Sequence, residues 1–358
     1  MEQQRFKKKV YETPYGKIEL TRHVYQSSQG GKTYCPLEID GRIIGQSTPK
    51  FAKQISSKYG DLGSRKVQKD LAENYGRNVS RKFIQDLSEQ VGQVIQKKED
   101  SWTYSLPPAA LKATVISIGL DGTTSYLVKD GYRETMSGTI SFFDAEQTRV
   151  HTIYLAQTPE YGKATFKQRF EQEIIKVKAV CKKAHYTGLA DGAPDNWSFL
   201  EPFINTATLD FWHGTEYLTP ASKVAYRLSY KQQQWFKDAR HKLRHETGAA
   251  EKLLEEMKTL RDKRVRKSKR EKLEQSITYF TNHQHQMNYA ECVENGLPIG
   301  SGITEAACKV IVKERLCCSG MMWKEPGAQA VLDIRCLTHT EQRWNQFWEF
   351  VNQESILN

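Results

Sequence analysis

Long hydrophobic runs are missing from this chain of 358 residues. No stretch reaches the roughly 18 uncharged apolar residues that a membrane-spanning helix needs. The first residues, MEQQRFKKKV, lack the apolar core of a secretory signal. The seven cysteines include no CxxC pair, which argues against a disulfide framework and indicates a reducing compartment. We therefore expect a cytoplasmic protein that does not enter a membrane.

Two common catalytic signatures are also missing. His241 and His245 stand in HKLRHE, where the glutamate falls outside the histidine pair, so this is not an HExxH zinc site. The GSG at 300–302 lacks the lysine and the spacing of a phosphate-binding loop. The sequence therefore predicts neither of these two kinds of site.

Basic residues outnumber acidic ones by 53 to 42, which gives a formal net charge of +11. Such an excess indicates a polyanionic partner such as DNA, RNA or a membrane surface, although many proteins are mildly basic for no single reason. The densest stretch, RDKRVRKSKREK at 261–272, predicts a surface that contacts phosphates, with a solvated helix face as the alternative. Within it we expect DNA contacts from Arg264, Arg266 and Lys267.

The N-terminal region predicts strands followed by helices. KIELTRHVY, TYCPLEID and RIIG, all within 10–45, are typical of short strands, and QGGK is typical of a turn. Between 47 and 96, three short helices are expected, with a start at Thr48 and caps at Ser64 and Ser80. The tight turn YGRNVS between the last two helices completes a helix-turn-helix pattern.

A helix-turn-helix places the start of its last helix against DNA. Arg81, Lys82 and Gln85 stand at that position and are our candidates for contacts with base edges and phosphates. A plain helical bundle or an oligomerisation module is the alternative for the same three helices.

Residues 112–210 predict an α/β unit. The strand patterns ATVISIGLD, RETMSGTISFFD and RVHTIYLAQ come first, and a long amphipathic helix follows them. A strand (HYTGLAD), a helix (APDNWSFLEPFI) and a short strand (NTATLD) complete the unit. This order is that of the RNase H-like fold, so we expect a mixed five-stranded sheet. From about 211 to 286 the sequence is helical and highly charged, and the α/β pattern does not return.

Two aspartates stand where predicted strands end. Asp121 follows TVISIGL and Asp191 ends HYTGLAD, and a glycine comes directly after each. Strand ends of one sheet can bring such side chains together, and a divalent cation relieves the repulsion between close carboxylates. For Asp121 the alternative is a turn residue in LDGTT. Asp195 is the alternative to Asp191, but APDNW, which contains Asp195, is typical of a helix cap.

Glu305 lies in GSGITEAACKVIVKERL, where Ser301 or Thr304 would cap a helix. Apolar residues fall on two sides of this helix, and Glu305 extends one of the two stripes, so we expect it on a packed face. The stripes are Ile303, Ala307, Val310 and Ile311 on one side, and Cys308, Val312 and Leu316 on the other. Lys309 and Lys313 lie between the stripes, where they are available to phosphates.

Asp121, Asp191 and Glu305 together predict a site for two divalent metal ions, Mg²⁺ or Mn²⁺, because these ions prefer hard oxygen ligands. Two ions in such a site generate the nucleophile from water or a DNA 3′-hydroxyl and stabilise the leaving oxygen. Two accessory candidates stand in LDFWHGTEYL. Asp210 is a ligand, an orienting residue or a helix cap, and His213 is either structural or catalytic.

Two tryptophans close to these motifs have two interpretations. Trp212 and Trp323 are more typical of the protein core, and stacking against DNA bases is the alternative.

Four motifs resemble those of DDE transposases of bacterial insertion sequences, and most closely the Kra-type group among Mutator-like RNase H-fold transposases. They are SIGLDGTT, GLADGAPDNWSFL, LDFWHGTEYL and LPIGSGITEAACKVIVKERLCCSGMMW. The resemblance covers about 112–345, and TPYGKIELTRHVYQSSQGGKTYCPLE extends it toward the N-terminus. It implies that Asp121, Asp191 and Glu305 are the catalytic triad. LDFWHGTEYL is similar to a segment that carries a Cys-x-x-His pair in related transposases, with Asp210 here at the first position.

The resemblance also implies an RNase H-like core that is interrupted by an all-α insertion. The expected segments are 1–46 (β-rich), 47–100 (helix-turn-helix), 105–213 (first part of the catalytic domain), 214–292 (insertion) and 293–358 (glutamate-bearing helix and helical C-terminal part).

The expected function is transposition of DNA. The protein would bind the terminal inverted repeats, cleave 3′ ends with its metal ions and join them to target DNA. Its partners would be double-stranded DNA and further copies of itself, as a dimer or a larger assembly in the bacterial nucleoid. The alternatives are an RNase H-like nuclease without strand transfer and a domesticated DNA-binding protein that no longer cuts.

Overall fold

The computed structural model describes residues 2–27, 30–31, 33–262 and 267–353, with the side chains of all of these except residues 2–4 and 27. They form a mixed α/β protein with a two-stranded antiparallel sheet and a five-stranded mixed sheet. Within those ranges, no helix combines the length and the apolar surface that crossing a bilayer requires.

The N-terminal region is a long antiparallel hairpin of β1 (Glu2–Thr13) and β2 (Gly16–Ser27). The strands predicted in TYCPLEID and RIIG are wrong. Pro36–Asp40 forms the short helix α1, with Pro36 in the first turn, where the missing N–H costs no helical hydrogen bond. Ile44 forms an isolated bridge with Ser47 instead of a strand.

The three helices predicted after the hairpin are confirmed. They are α2 (Pro49–Asp61), α3 (Ser64–Tyr75) and α4 (Arg81–Lys98). α3 ends at Gly76, which adopts a left-handed φ of 61° that favours glycine. The Ser80 hydroxyl caps α4 by accepting the Phe83 N–H at 3.1 Å. The cap expected at Ser64 is wrong, because Gly63 holds the cap position and Ser64 is already helical.

The five-stranded sheet follows the predicted order of strands and helices. After α5 (Pro108–Leu111), its strands are β3 (Val115–Leu127), β4 (Gly131–Phe143), β5 (Arg149–Gln157), β6 (His185–Ala190) and β7 (Thr206–Leu209). They lie in the order β5-β4-β3-β6-β7, with antiparallel pairing from β3 to β5 and parallel pairing from β3 to β7. Two helices, α6 (Ala164–Val180) and α7 (Pro194–Leu200), connect β5 to β6 and β6 to β7.

The rest of the described chain is helical, as predicted. One group consists of α8 (Phe211–Glu216), α9 (Leu218–Ala225), α10 (Ser229–His245), α11 (Ala249–Asp262), α12 (Lys267–His283) and α13 (Tyr289–Glu294). The second consists of α14 (Gly302–Ala307), a π-helical segment (Cys308–Lys313), α15 (Glu314–Leu316), α16 (Glu325–His339) and α17 (Arg343–Gln353). The π-helical segment was not expected from the sequence.

The helices α2 to α4 share one hydrophobic core with α16 and α17. Gly92 of α4 crosses Ala330 of α16 so closely that a Cβ at residue 92 would lie 2.4 Å from the Ala330 Cβ. The sheet and α6 enclose a second core, and the α8–α13 group encloses a third. The helices α2 to α4 and the C-terminal helices are therefore packed as one unit.

Candidate active site

Asp121 lies within β3, and the prediction that it ends a strand is wrong. β3 continues to Leu127 because its antiparallel pairing with β4 extends to the pair Leu127 and Gly131. The parallel neighbour β6 stops earlier, and its last pair with β3 joins Gly119 and Leu189. Asp121 therefore stands just past the end of β6, on the strand that extends beyond it.

Two donors hold the Asp121 carboxylate. The Gly122 N–H donates to Oδ1 at 2.7 Å, and the Cys308 thiol donates to Oδ2 at 3.6 Å. Burial raises the pKa of the Asp121 carboxyl above its usual value, these two hydrogen bonds lower it, and the carboxylates of Asp191 and Glu305 raise it further. Asp121 thus lies in the electrostatic field of both other predicted triad residues.

Asp191 directly follows β6, as predicted. Its Oδ1 accepts hydrogen bonds from the Ala193 N–H at 3.1 Å and from the Asn196 side-chain amide at 3.0 Å. The alternative residue, Asp195, lies in the first turn of α7 and forms an ion pair with Lys167 at 2.5 Å. The choice of Asp191 as a site residue stays a prediction, and the contact of Asn196 with Asp191 is one that the sequence did not reveal.

Asp210 is a fully buried helix cap. Its Oδ1 accepts the His213 N–H at 2.7 Å and so caps α8. Its Oδ2 accepts the Ser301 N–H at 2.6 Å, at the start of the helix that carries Glu305. Of the three roles considered for Asp210, the cap is confirmed, and the link to Ser301 makes it an orienting residue as well.

Glu305 lies in the first turn of α14, with Ser301 rather than Thr304 at the cap position. The prediction that it lies on a packed face is wrong, because Glu305 is exposed. One broad face of the helix is buried, and it consists of Thr304, Ala307, Cys308, Ile311, Val312, Arg315 and Leu316. These positions recur at spacings of three and four residues, so the two predicted stripes are flanks of one buried face, and Glu305 lies outside that face. The Ser301 hydroxyl donates to Glu305 Oε1 at 3.0 Å.

Gly119 brings the Glu305 helix onto the sheet. A Cβ at residue 119 would lie 2.2 Å from Thr304 Oγ1, which in turn hydrogen-bonds Thr139 Oγ1 of β4 at 2.7 Å. The close approach of Thr304 to Gly119 was not predicted from the sequence. A glycine inside an apolar strand is the signal that could have indicated it, because such a residue often marks a close approach of another element.

Asp210, His213 and Glu305 could hold a metal ion, because one ligand atom from each lies within 4.8 Å of the other two. Asp121 and Asp191 are not members of this group. Glu305 therefore lies within reach of Asp210 and His213 and also contributes to the electrostatic field at Asp121.

The residues predicted to contact DNA differ in how far their side chains are exposed. Arg81 and Lys82 are exposed and Gln85 is partly buried, and Lys82 forms an ion pair with Asp86 at 2.8 Å. Lys309, Lys313 and Lys267 are exposed. Arg264 and Arg266 lie outside the described residues.

Of the two tryptophans, Trp323 is buried and Trp212 is exposed. Trp323 is buried, and the Arg315 guanidinium lies 4.7 Å from its ring centroid, so the core interpretation is confirmed for Trp323. Trp212 is 55% exposed, which leaves base stacking as its open interpretation.

Comparison with known proteins gives no family for this chain, since no protein-family model and no curated protein matches it.

Proposed function

We propose that this protein is a DDE transposase that cuts and joins DNA with two divalent metal ions. Its catalytic core would be an RNase H-like domain formed by 105–213 and 293–358, with 214–292 as an all-α insertion. The strand order β5-β4-β3-β6-β7 supports the proposal, because it combines three antiparallel strands with two strands parallel to β3 in the order expected for such a core.

One observation carries the proposal. Asp121, Asp191 and Glu305 come from β3, from the end of β6 and from α14, and both of the others raise the pKa of Asp121. Such coupling requires that the carboxylates of Asp191 and Glu305 lie close enough to the partly buried Asp121 to disfavour its charge. Holding carboxylates near one another costs folding free energy. Bound cations would offset that repulsion, which would explain why the fold keeps these residues together.

The three side chains fit the ions proposed, because all of them offer hard carboxylate oxygens. Asp121, Asp191 and Glu305 would hold two Mg²⁺ or Mn²⁺ ions, which when bound would activate water or a DNA 3′-hydroxyl and stabilise the leaving oxygen. Asp210 and His213, which lie within 4.8 Å of Glu305 through one ligand atom each, would support it.

The chain's own hydrogen bonds fix the three carboxylates in advance of binding. Gly122 and Cys308 orient Asp121, and Asn196 orients Asp191. Ser301 holds Glu305 through its hydroxyl. Preorganised ligands of this kind lower the reorganisation that the reaction would otherwise require.

The DNA-binding part of the proposal rests on exposed basic residues. Arg81, Lys82 and Gln85 at the start of α4 would contact the terminal inverted repeats. Lys309 and Lys313 project from the helix that carries Glu305 and would contact phosphates near the cut. We further propose that the protein acts as a homodimer or larger assembly on double-stranded DNA in the bacterial cytoplasm, because two ends must be processed together.

The proposal is tested with DNA that carries the inverted repeats flanking the reading frame. The native protein should nick this DNA in Mg²⁺ and join a pre-cut end to a second duplex. Glu305→Gln should bind the ends but neither nick nor join. Nicking without joining would indicate a nuclease, and binding without nicking would indicate a DNA-binding protein that no longer cuts.

A further inference from the structure

Trp212 is exposed beside the candidate active site. Among the described residues, it is the one tryptophan with more than half of its surface open, at 55%. It stands between Asp210 and His213 in α8. A Cβ at Gly300 would lie 3.7 Å from the Trp212 ring and 3.8 Å from Asp210 Oδ2, so the ring and the carboxylate flank the same glycine. Phe211 packs edge-on against the indole ring at 5.6 Å between ring centroids, and more than half of the Trp212 surface still remains open to water.

Arg240 of α10 lies over the same ring, with its guanidinium carbon 5.4 Å from the ring centroid. It also lies 5.7 Å from the centroid of Phe236. Among the described residues, no carboxylate forms an ion pair with Arg240. A guanidinium that is held by aromatic rings and not neutralised by an acid remains available to a phosphate.

We propose that Trp212 and Arg240 form a subsite for one unpaired nucleobase and its phosphate. The base stacks on the open part of the indole ring, and Arg240 binds the neighbouring phosphate. Inside a duplex, both faces of a base are covered by its neighbours, so the base that occupies this subsite must be unpaired or turned out of the helix. This inference deepens the proposed function and rests on it, since it positions the DNA strand beside the carboxylates.

The chain offers a matched control at Tyr75 of α3. Tyr75 is 48% exposed, and the Lys58 ammonium lies 4.7 Å from its ring centroid, so this is also a surface pair of a cation and an aromatic ring. Lys58 differs from Arg240 because Asp70 neutralises it at 2.8 Å. We expect no nucleobase subsite at Tyr75.

The test measures binding of fluorescein-labelled single strands by anisotropy in EDTA, where no cutting occurs. One probe is an oligothymidylate of about 20 nucleotides, and the other is an abasic strand of the same length, which keeps the phosphates and lacks the bases. The native protein should bind the thymidylate more tightly than the abasic strand. Trp212→Ala should reduce the ratio of the two affinities by roughly 5- to 150-fold, or abolish the preference where the native ratio is smaller than that. Trp212→Phe should keep most of the preference. Tyr75→Ala should leave it unchanged.

Arg240→Gln should weaken binding of both probes and lower the slope of log affinity against log salt by about 0.7, the value for one phosphate on a single strand. The inference is overturned if Trp212→Ala, folded by circular dichroism, keeps the native preference for the thymidylate. It is also overturned if the native protein has no such preference. Both outcomes are independent of nicking and joining in Mg²⁺, so failure of the subsite is distinguishable from failure of the proposed function.

Discussion

The backbone N–H of Ser301 donates a 2.6 Å hydrogen bond to the buried carboxylate of Asp210, a residue 91 positions earlier in the chain. The same carboxylate caps α8 through the His213 N–H. One side chain thus fixes the starts of two helices, and the second of these carries Glu305. The position of the proposed catalytic glutamate therefore depends on a residue at the end of β7.

Asp210→Asn should destabilise the protein and lower its cleavage activity. The amide NH₂ of asparagine would face a backbone N–H where a carboxylate oxygen now accepts it. Loss of a buried hydrogen bond to a charged group should lower the free energy of unfolding by about 1.5–3 kcal/mol. Denaturant titration measures this change. Asp195→Asn is the control, because Asp195 forms an exposed ion pair with Lys167 and should change stability by less than about 1 kcal/mol. Equal effects of the two substitutions would contradict the role given to Asp210.

Gly119→Ala should displace the Glu305 helix from the sheet. The added methyl group would lie 2.2 Å from Thr304 Oγ1, and overpacking of this kind costs about 1–3 kcal/mol. We expect a lower free energy of unfolding together with a loss of cleavage. Adding Thr304→Ala should restore part of both, since it removes the atom in conflict. Gly302→Ala is the control in the same helix, because nothing lies within 4 Å of its added Cβ. If Gly119→Ala behaves like Gly302→Ala, the close approach is refuted.

Acidification should destabilise the protein through His151. Burial, together with the positive charge of Arg343, lowers the pKa of His151 to about 4 from a usual value of about 6.5. The unfolded chain therefore binds the proton first as the pH falls. This stabilisation is complete above about pH 6.5 and is lost toward about pH 4, with a limit of about 3 kcal/mol.

Denaturant titrations across this pH range measure the effect. His151→Gln should flatten the dependence, and the surface variant His245→Gln should leave it unchanged. A native slope that persists in His151→Gln would assign the acid sensitivity to other groups.

The succession of strands and helices in the central sheet could be predicted from the sequence. Each element has its own hydrophobic periodicity and is bounded by turn residues. RVHTIYLAQ matches β5 residue for residue. The length of β3 beyond Asp121 was not accessible, because it depends on cross-strand pairing with β4 and not on the local pattern.

The surroundings of Glu305 were also out of reach. The two predicted stripes belong to one buried face, and Glu305 lies outside it. The contact between Gly119 and Thr304 joins residues far apart in the chain, and no local period reports it. Local patterns therefore placed Asp191 after a strand and Glu305 in the first turn of a helix, whereas the position of Asp121 within β3 depends on tertiary pairing.

The most direct test of the central claim is a titration of the metal-free protein with Mn²⁺, with free Mn²⁺ followed by electron paramagnetic resonance. We predict two bound ions for the native protein and a loss of binding in Asp121→Asn, Asp191→Asn and Glu305→Gln. His213→Gln should retain both ions. If His213→Gln abolishes binding while Asp121→Asn and Asp191→Asn bind as the native protein does, the ions belong to the Asp210, His213 and Glu305 group, and the proposed triad is wrong.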